Sequence, residues 1–130
     1  MKVSKRFRVA LKGIGELQAQ VSDENPKTAQ AVLISLPIKG KVNTWGDEIY
    51  FSTPLDLNEE QSRAEVEVGT VAYWPPGRAI CIFFGKTPTS KDGKPRAASP
   101  VNVFAKILGD VSPLRRVRDN SEINLEQYSE

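Results

Sequence analysis

Apolar and polar positions alternate at the start of the chain. Phe7, Val9 and Leu11 interleave with Arg6, Arg8, Ala10 and Lys12, the period of a half-buried strand. Past Gly13 and Gly15, Leu17, Ala19 and Val21 alternate with Glu16, Gln18, Gln20 and Ser22, which predicts a second strand. The period then changes. Ala29, Val32, Leu33 and Leu36 recur at i, i+3, i+4 and i+7 and predict a helix over about 26–36. Asn25 suits the N-cap, Pro26 the first helical position, and Pro37 stops it.

Residues 39–44 and 48–53 read as strands joined at Trp45-Gly46-Asp47, and 56–63 as a polar loop. Glu65 and Glu67 alternate with Val66 and Val68, a strand whose acidic face would suit a neighbouring basic N-terminal strand through ion pairs. The densest apolar stretch is Gly69–Pro88. There Thr70–Trp74 and Ala79–Phe84 flank the corner Pro75-Pro76-Gly77-Arg78 and predict a hairpin. Thr89–Ser99 reads as a surface loop, and Val101, Val103, Ala105 and Ile107 as a strand ending at Gly109. Ser112 is placed to cap a helical turn through Val117, and Glu122–Tyr128 closes with another strand. Many short strands with regular turn signals predict an all-β barrel or sandwich. The early helix favours a barrel with helical end caps.

At 130 residues the chain is expected to form one domain, 1–130. Its apolar fraction of 39% and charged fraction of 26% are those of a globular protein. A net charge of +2 gives no argument for nucleic acid or an anionic membrane. The basic face formed with Lys2 and Lys5 has no interleaved aromatics, so it reads as a solvated strand face and nucleic acid is not an expected partner. No run approaches a membrane span, and no apolar stretch follows the basic N-terminus as a secretory leader requires. The cytoplasm is therefore the expected compartment.

The absence of histidine removes Ser-His-Asp and Cys-His nucleophiles, imidazole bases and histidine-ligated zinc. A single cysteine, Cys81, removes an internal disulfide and any cysteine-cluster metal site. Lying in an apolar strand, it reads as a buried, inert thiol. No metal and no cofactor are expected, and phosphate-loop, dinucleotide and EF-hand patterns are missing. The best ligand contacts are aromatic: Trp45, Tyr50, Tyr73 and Trp74. Strand alternation puts Tyr73 and Trp74 on opposite faces, and likewise Tyr50 and Phe51. Asp47 and Glu48 are adjacent carboxylates whose side chains diverge, so they do not read as an acid/base pair. Glu48 remains a candidate contact. Arg78, Phe84 and Thr87 complete a candidate groove with Trp74. Thr87, Arg96, Ser99 and Asn102, on or beside the 85–102 loop, are of types that bind a carboxylate or amide.

Three segments carry a family resemblance: NPKTAQAVLISLPIKGKVNTWGDEIYFSTP (25–54), VGTVAYWPPGRAICIFFGKTP (68–88) and ASPVNVFAKILGDVSPLRRV (98–117). In them the chain resembles the small prokaryotic cyclophilin-like proteins. The resemblance implies a closed cyclophilin-like β-barrel of about eight strands with one or two short helices. It does not supply a reaction. Cyclophilins carry a Phe-His-Arg-Val word after the first helix, but residues 41–54 contain neither His nor Arg, and the Gln-Gly-Gly-Asp word is absent. If the Phe-Phe words align, Ile82 stands where the cyclophilin glutamine would be, and only Phe84 carries over, as a wall of a proline pocket.

The leading expectation is a barrel that binds a small molecule or an extended, proline-containing peptide in a surface groove. One alternative is a prolyl isomerase with a substituted site, using Phe84 as pocket and Arg78 as the cation. A second follows from kinship with cyclophilin-like barrels of amide-hydrolysing complexes, of which the chain would be a subunit. Oligomeric state is left open.

Overall fold

The structure is a computed structural model and describes residues 5–128. Lys2 of the proposed basic face lies outside them. The elements run β1 (Arg6–Leu11), β2 (Gly15–Val21), α1 (Pro26–Ser35), β3 (Ile38–Lys41), β4 (Asn43–Thr44), β5 (Glu48–Ser52), β6 (Arg63–Glu65), β7 (Thr70–Trp74), β8 (Ala79–Phe83), β9 (Arg96–Leu108) and β10 (Glu122–Gln127). Short 3-10 turns occupy Pro75–Gly77 and Ser112–Arg116.

All assigned strand pairings are antiparallel. They follow the order β3-β10-β1-β2-β9-β7-β8-β5-β4, with β6 added against β9. This is a ten-stranded, all-β-dominated architecture, and its hydrogen-bonded path is open, not the closed ring of about eight strands expected. Its two ends are consecutive pieces of chain. Val42, between β3 and β4, turns its N–H to Ser121 O (2.9 Å), so 38–41 pairs with β10 while 43–44 pairs with β5. Edge meets edge through a bent strand, and Gly40 lies so close to Phe51 that a Cβ there would meet the ring at 2.7 Å.

Alternation places the core as the sequence indicates. Phe7, Val9 and Leu11 point inward from β1, joined by Ile49, Phe51, Tyr73, Ile80 and Ile82 from the opposite wall. On the other face of β5, β7, β8 and β9 lies a second apolar cluster built on Ala72, Cys81, Phe83, Val101 and Val103. A bulge separates the two along β9. Val71 pairs with Ala105 but Ala72 with Val103, leaving Phe104 as the extra residue. Val101 and Val103 therefore face outward, while Ala105 and Ile107 face inward, although plain alternation puts all four on one side.

β9 also begins earlier than expected. Residues 96–100, rich in small residues and proline, are extended because β6 pairs with them. The acidic strand is correspondingly displaced: β6 is Arg63–Glu65, not 65–68, and it lies beside β9, not the N-terminal strand. The basic residues of β1 instead find partners on its two neighbours. Arg8 pairs with Glu126 (3.2 Å) on β10, and Arg6 donates to Gln18 and Gln20 on β2. Ser112 starts its 3-10 turn without capping it, because its hydroxyl donates to Asp110.

Helix α1 matches its stripe, but Asn25 does not cap it. The Asn25 amide is fully buried and donates to Val103 O (2.8 Å), while its carbonyl oxygen accepts from Gln61 N. The cap comes from a distant loop. Glu60 accepts from the N–H groups of Lys27 (3.1 Å) and Thr28 (3.0 Å) and from the Thr28 hydroxyl (2.9 Å). Burial alone would push the Glu60 carboxyl up, but these donors and the Lys27 charge hold it below the usual value. Glu60→Ala should lower stability by about 1 kcal/mol, read as a shift in urea midpoint. With the folded pKa depressed, this contribution is present above the unfolded value of 4.5 and fades as pH falls through the folded one. An unchanged midpoint at pH 7 would show that water replaces the carboxylate.

Candidate functional site

Outward-facing positions on β5 and β8 meet in register: Glu48 lies opposite Phe83, and Tyr50 opposite Cys81. Across β8, Cys81 faces Ala72 and Ala79 faces Trp74. Two small residues, Ala72 and Ala79, thus lie between large ones. Beside them is a cavity of about 180 Å3 lined by Trp45, Glu48, Tyr50, Trp74, Cys81, Ala97, Ala98 and Val101. Glu48 and Cys81 are buried, whereas Trp45, Tyr50 and Trp74 are partly exposed and Ala98 is open to solvent.

Each wall is held in place. Trp45 opens the turn into β5: its N–H donates to Glu48 O (2.9 Å) and its carbonyl accepts from Glu48 N (3.2 Å). Gly46 has φ +61°, and a side chain there would meet Pro88 and the Lys86 carbonyl. Asp47 points away from Glu48, as divergence requires, and pairs with Arg115 (3.0 Å). The Trp74 indole N–H donates to Ser99 Oγ at 2.7 Å, which fixes the ring to the start of β9. Gly77 lets the same ring pack closely against the Pro-Pro-Gly corner, since a Cβ would meet Trp74 at 2.5 and 2.6 Å.

Glu48 is only 5% exposed, and no ion pair involves it among the described residues. Burial pushes its carboxyl up to about 7, opposed in part by a hydrogen bond from the Cys81 thiol. Burial, and then the Glu48 charge and hydrogen bond, hold the Cys81 thiol well above the ordinary thiol range. The pair is a protonated thiol beside a carboxyl that titrates near neutrality. It can take or give a proton at Glu48, but it does not supply a thiolate nucleophile. No group of three or more His, Cys, Asp or Glu able to hold a metal occurs among the described residues.

The other candidates lie elsewhere. Tyr73 is fully buried in the interior cluster; its hydroxyl donates to Leu55 O (2.9 Å) and accepts from Leu57 N (3.1 Å). Phe84 belongs to the interior cluster under the guanidinium of Arg115. Arg78 sits at the exposed corner with φ +49°, paired with Asp56 (3.4 Å). The two flank opposite ends of β8, six residues or roughly 20 Å apart, so they do not form the pocket-and-cation pair an isomerase would need. Thr87 ties its own loop: its hydroxyl donates to the Arg96 carbonyl and its N–H to Ser90 Oγ. Asn102 is fully buried and joins β9 to the 58–60 loop and α1. Of the candidates, the cavity gathers Trp45, Glu48, Tyr50 and Trp74.

The sequence reading did not place Cys81, Ala97, Ala98 or Val101 at a site. Cys81 had a signal, since it shares parity with outward-facing positions, but an apolar run hides which face carries a cavity. The alanines had none. A larger, shallower concavity of about 790 Å3 lies over the β1–β2 turn, β3 and β10. None of the candidates lines it, and its Lys12 and Glu122 pair with each other at 3.5 Å.

The solution structure of a hypothetical protein from Archaeoglobus fulgidus is 42% identical and superposes with a TM-score of 0.83 over 98% of each chain. McbB, solved in complex with tryptophan, is 13% identical with a TM-score of 0.74, over 95% of this chain and 45% of its own, a likeness of fold. No curated protein matches the sequence. No helix among the described residues is long and apolar enough to cross a membrane. The cyclophilin-like family matches residues 5–126, and with nearly the whole chain inside that match, the protein belongs to the cyclophilin-like family.

Proposed function

We propose that the protein binds a small molecule in the cavity between Trp45, Glu48, Tyr50 and Trp74. One observation carries this reading: a buried carboxylate with no ion-pair partner faces an apolar, aromatic-lined space. Burying a carboxyl without an ion-pair partner destabilises the fold. Perturbed titratable groups in an apolar cavity are the usual mark of a binding or catalytic site. At about 30 Å3 per water, the space corresponds to roughly six waters, which suits a compact ligand or one head group of a larger one. The same space would also admit one side chain of a peptide.

The test is a screen of small fragments, neutral and charged, followed by the indole N–H resonances of Trp45 and Trp74. Fragments that bind should shift both signals. Ala98→Phe, which fills the mouth from an exposed position, should abolish the shifts and leave the rest of the spectrum in place. A screen in which no fragment moves either indole would refute the reading.

A further inference from the structure

Resting on that reading, we infer that the cavity takes an organic cation, a methylated ammonium head group. Three of its eight lining residues are Trp or Tyr, the side chains whose rings attract ammonium groups. The titratable residues lining it are Glu48 and Tyr50 from β5 and Cys81 from β8. Trp74 of β7, residues 97, 98 and 101 of β9, and the turn residue Trp45 contribute none, and Asp47 is turned to Arg115. No lysine or arginine lines the cavity, so an anion would meet the Glu48 carboxylate with no cation to offset it.

The polar atoms favour methylation. A primary ammonium is a compact, strongly hydrated charge, and stripping its water in a cavity lined mainly by aromatic and apolar side chains is costly. A trimethylammonium group brings charge without donors. The Trp74 indole N–H is committed to Ser99, so one of the few donors able to hold a carbonyl or phosphate is occupied. A cation at this place would also resolve the burial of Glu48, because it restores to the ionised carboxylate the partner that the fold withholds.

Choline and its uncharged isostere 3,3-dimethylbutan-1-ol separate charge from shape. At pH 8 choline should bind at least tenfold more tightly, followed by tryptophan fluorescence and the two indole signals. With Glu48 titrating at about 7, choline should bind about tenfold more weakly at pH 6, while the alcohol is unaffected. Glu48→Gln should abolish the pH dependence of choline binding and most of its advantage over the alcohol, leaving only the part the aromatic rings supply. Equal binding of choline and the alcohol to the parent protein overturns the cation inference and leaves the small-molecule reading standing. So does binding of neutral or anionic fragments without choline. Failure of every fragment, charged or not, overturns both.

Discussion

Glu48→Gln should stabilise the protein by about 3 kcal/mol at pH 8 and by almost nothing at pH 4.5. The carboxyl titrates at 4.5 in the unfolded chain and at about 7 in the fold. Between those values the folded state holds a proton that the unfolded state has released. Stability therefore falls as pH rises from 4.5 through 7, and stays low above it. A separation of about 2.5 units at 1.36 kcal/mol each sets the size of the loss. Glutamine keeps the shape and carries no charge at any pH, so the variant escapes the loss. The Cys81 thiol, held well above its ordinary value, stays protonated across the window and adds no slope.

Urea unfolding of both proteins at several pH values reads the difference directly, and other titrations cancel in the comparison. A variant whose advantage is the same at pH 4.5 and pH 8 would show that Glu48 is not desolvated as the structure places it. A charged group that lowers stability where its neutral isostere would not is the pattern expected of a residue retained for its chemistry. A methylated ammonium ligand should flatten the slope for the parent protein, because binding to the ionised form stabilises the fold by mass action.

The sequence shows most clearly what is local. The β1 alternation, the α1 stripe and the Tyr-Trp-Pro-Pro-Gly-Arg corner each depend on residues within one or two turns of chain, and each appears where its pattern puts it. Long-range partnership is what it hides. Asn25 has the right chemistry for a cap, but the position of Glu60, 35 residues on, decides otherwise. Residues 96–100 carry loop composition and become strand only because β6 lies alongside. The bulge at Phe104 reverses the facing of β9, which alternation counting cannot see. The candidate site follows the same rule. Glu48 and Tyr50 share parity and so share a face, but bringing Trp74, Cys81 and Ala97 beside them needs the order β7-β8-β5 and the path of β9. Arg78 and Phe84 are near in sequence and far apart on an extended strand.

Asn102→Ala should cost about 3 kcal/mol and leave ligand binding at the cavity unchanged within twofold. The fully buried Asn102 amide donates to Thr28 Oγ1 (3.1 Å) and Asn58 O (3.0 Å), and its oxygen accepts from Glu60 N (3.0 Å). Thr28 passes the chain on, donating from the same hydroxyl to Glu60. One side chain on β9 thus holds the loop that supplies the helix cap. Alanine would leave the Glu60 N–H and the Asn58 carbonyl without partners, and each unsatisfied buried group costs on the order of 1–3 kcal/mol. Because the two sites share this network, the double variant Asn102→Ala/Glu60→Ala should be less damaging than the sum of the single losses. Strict additivity would mean that the cap stands without Asn102. A loss under about 1 kcal/mol in the single variant would mean that water satisfies the loop. A large change in choline affinity with stability intact would return Asn102 from the frame of the protein to its site.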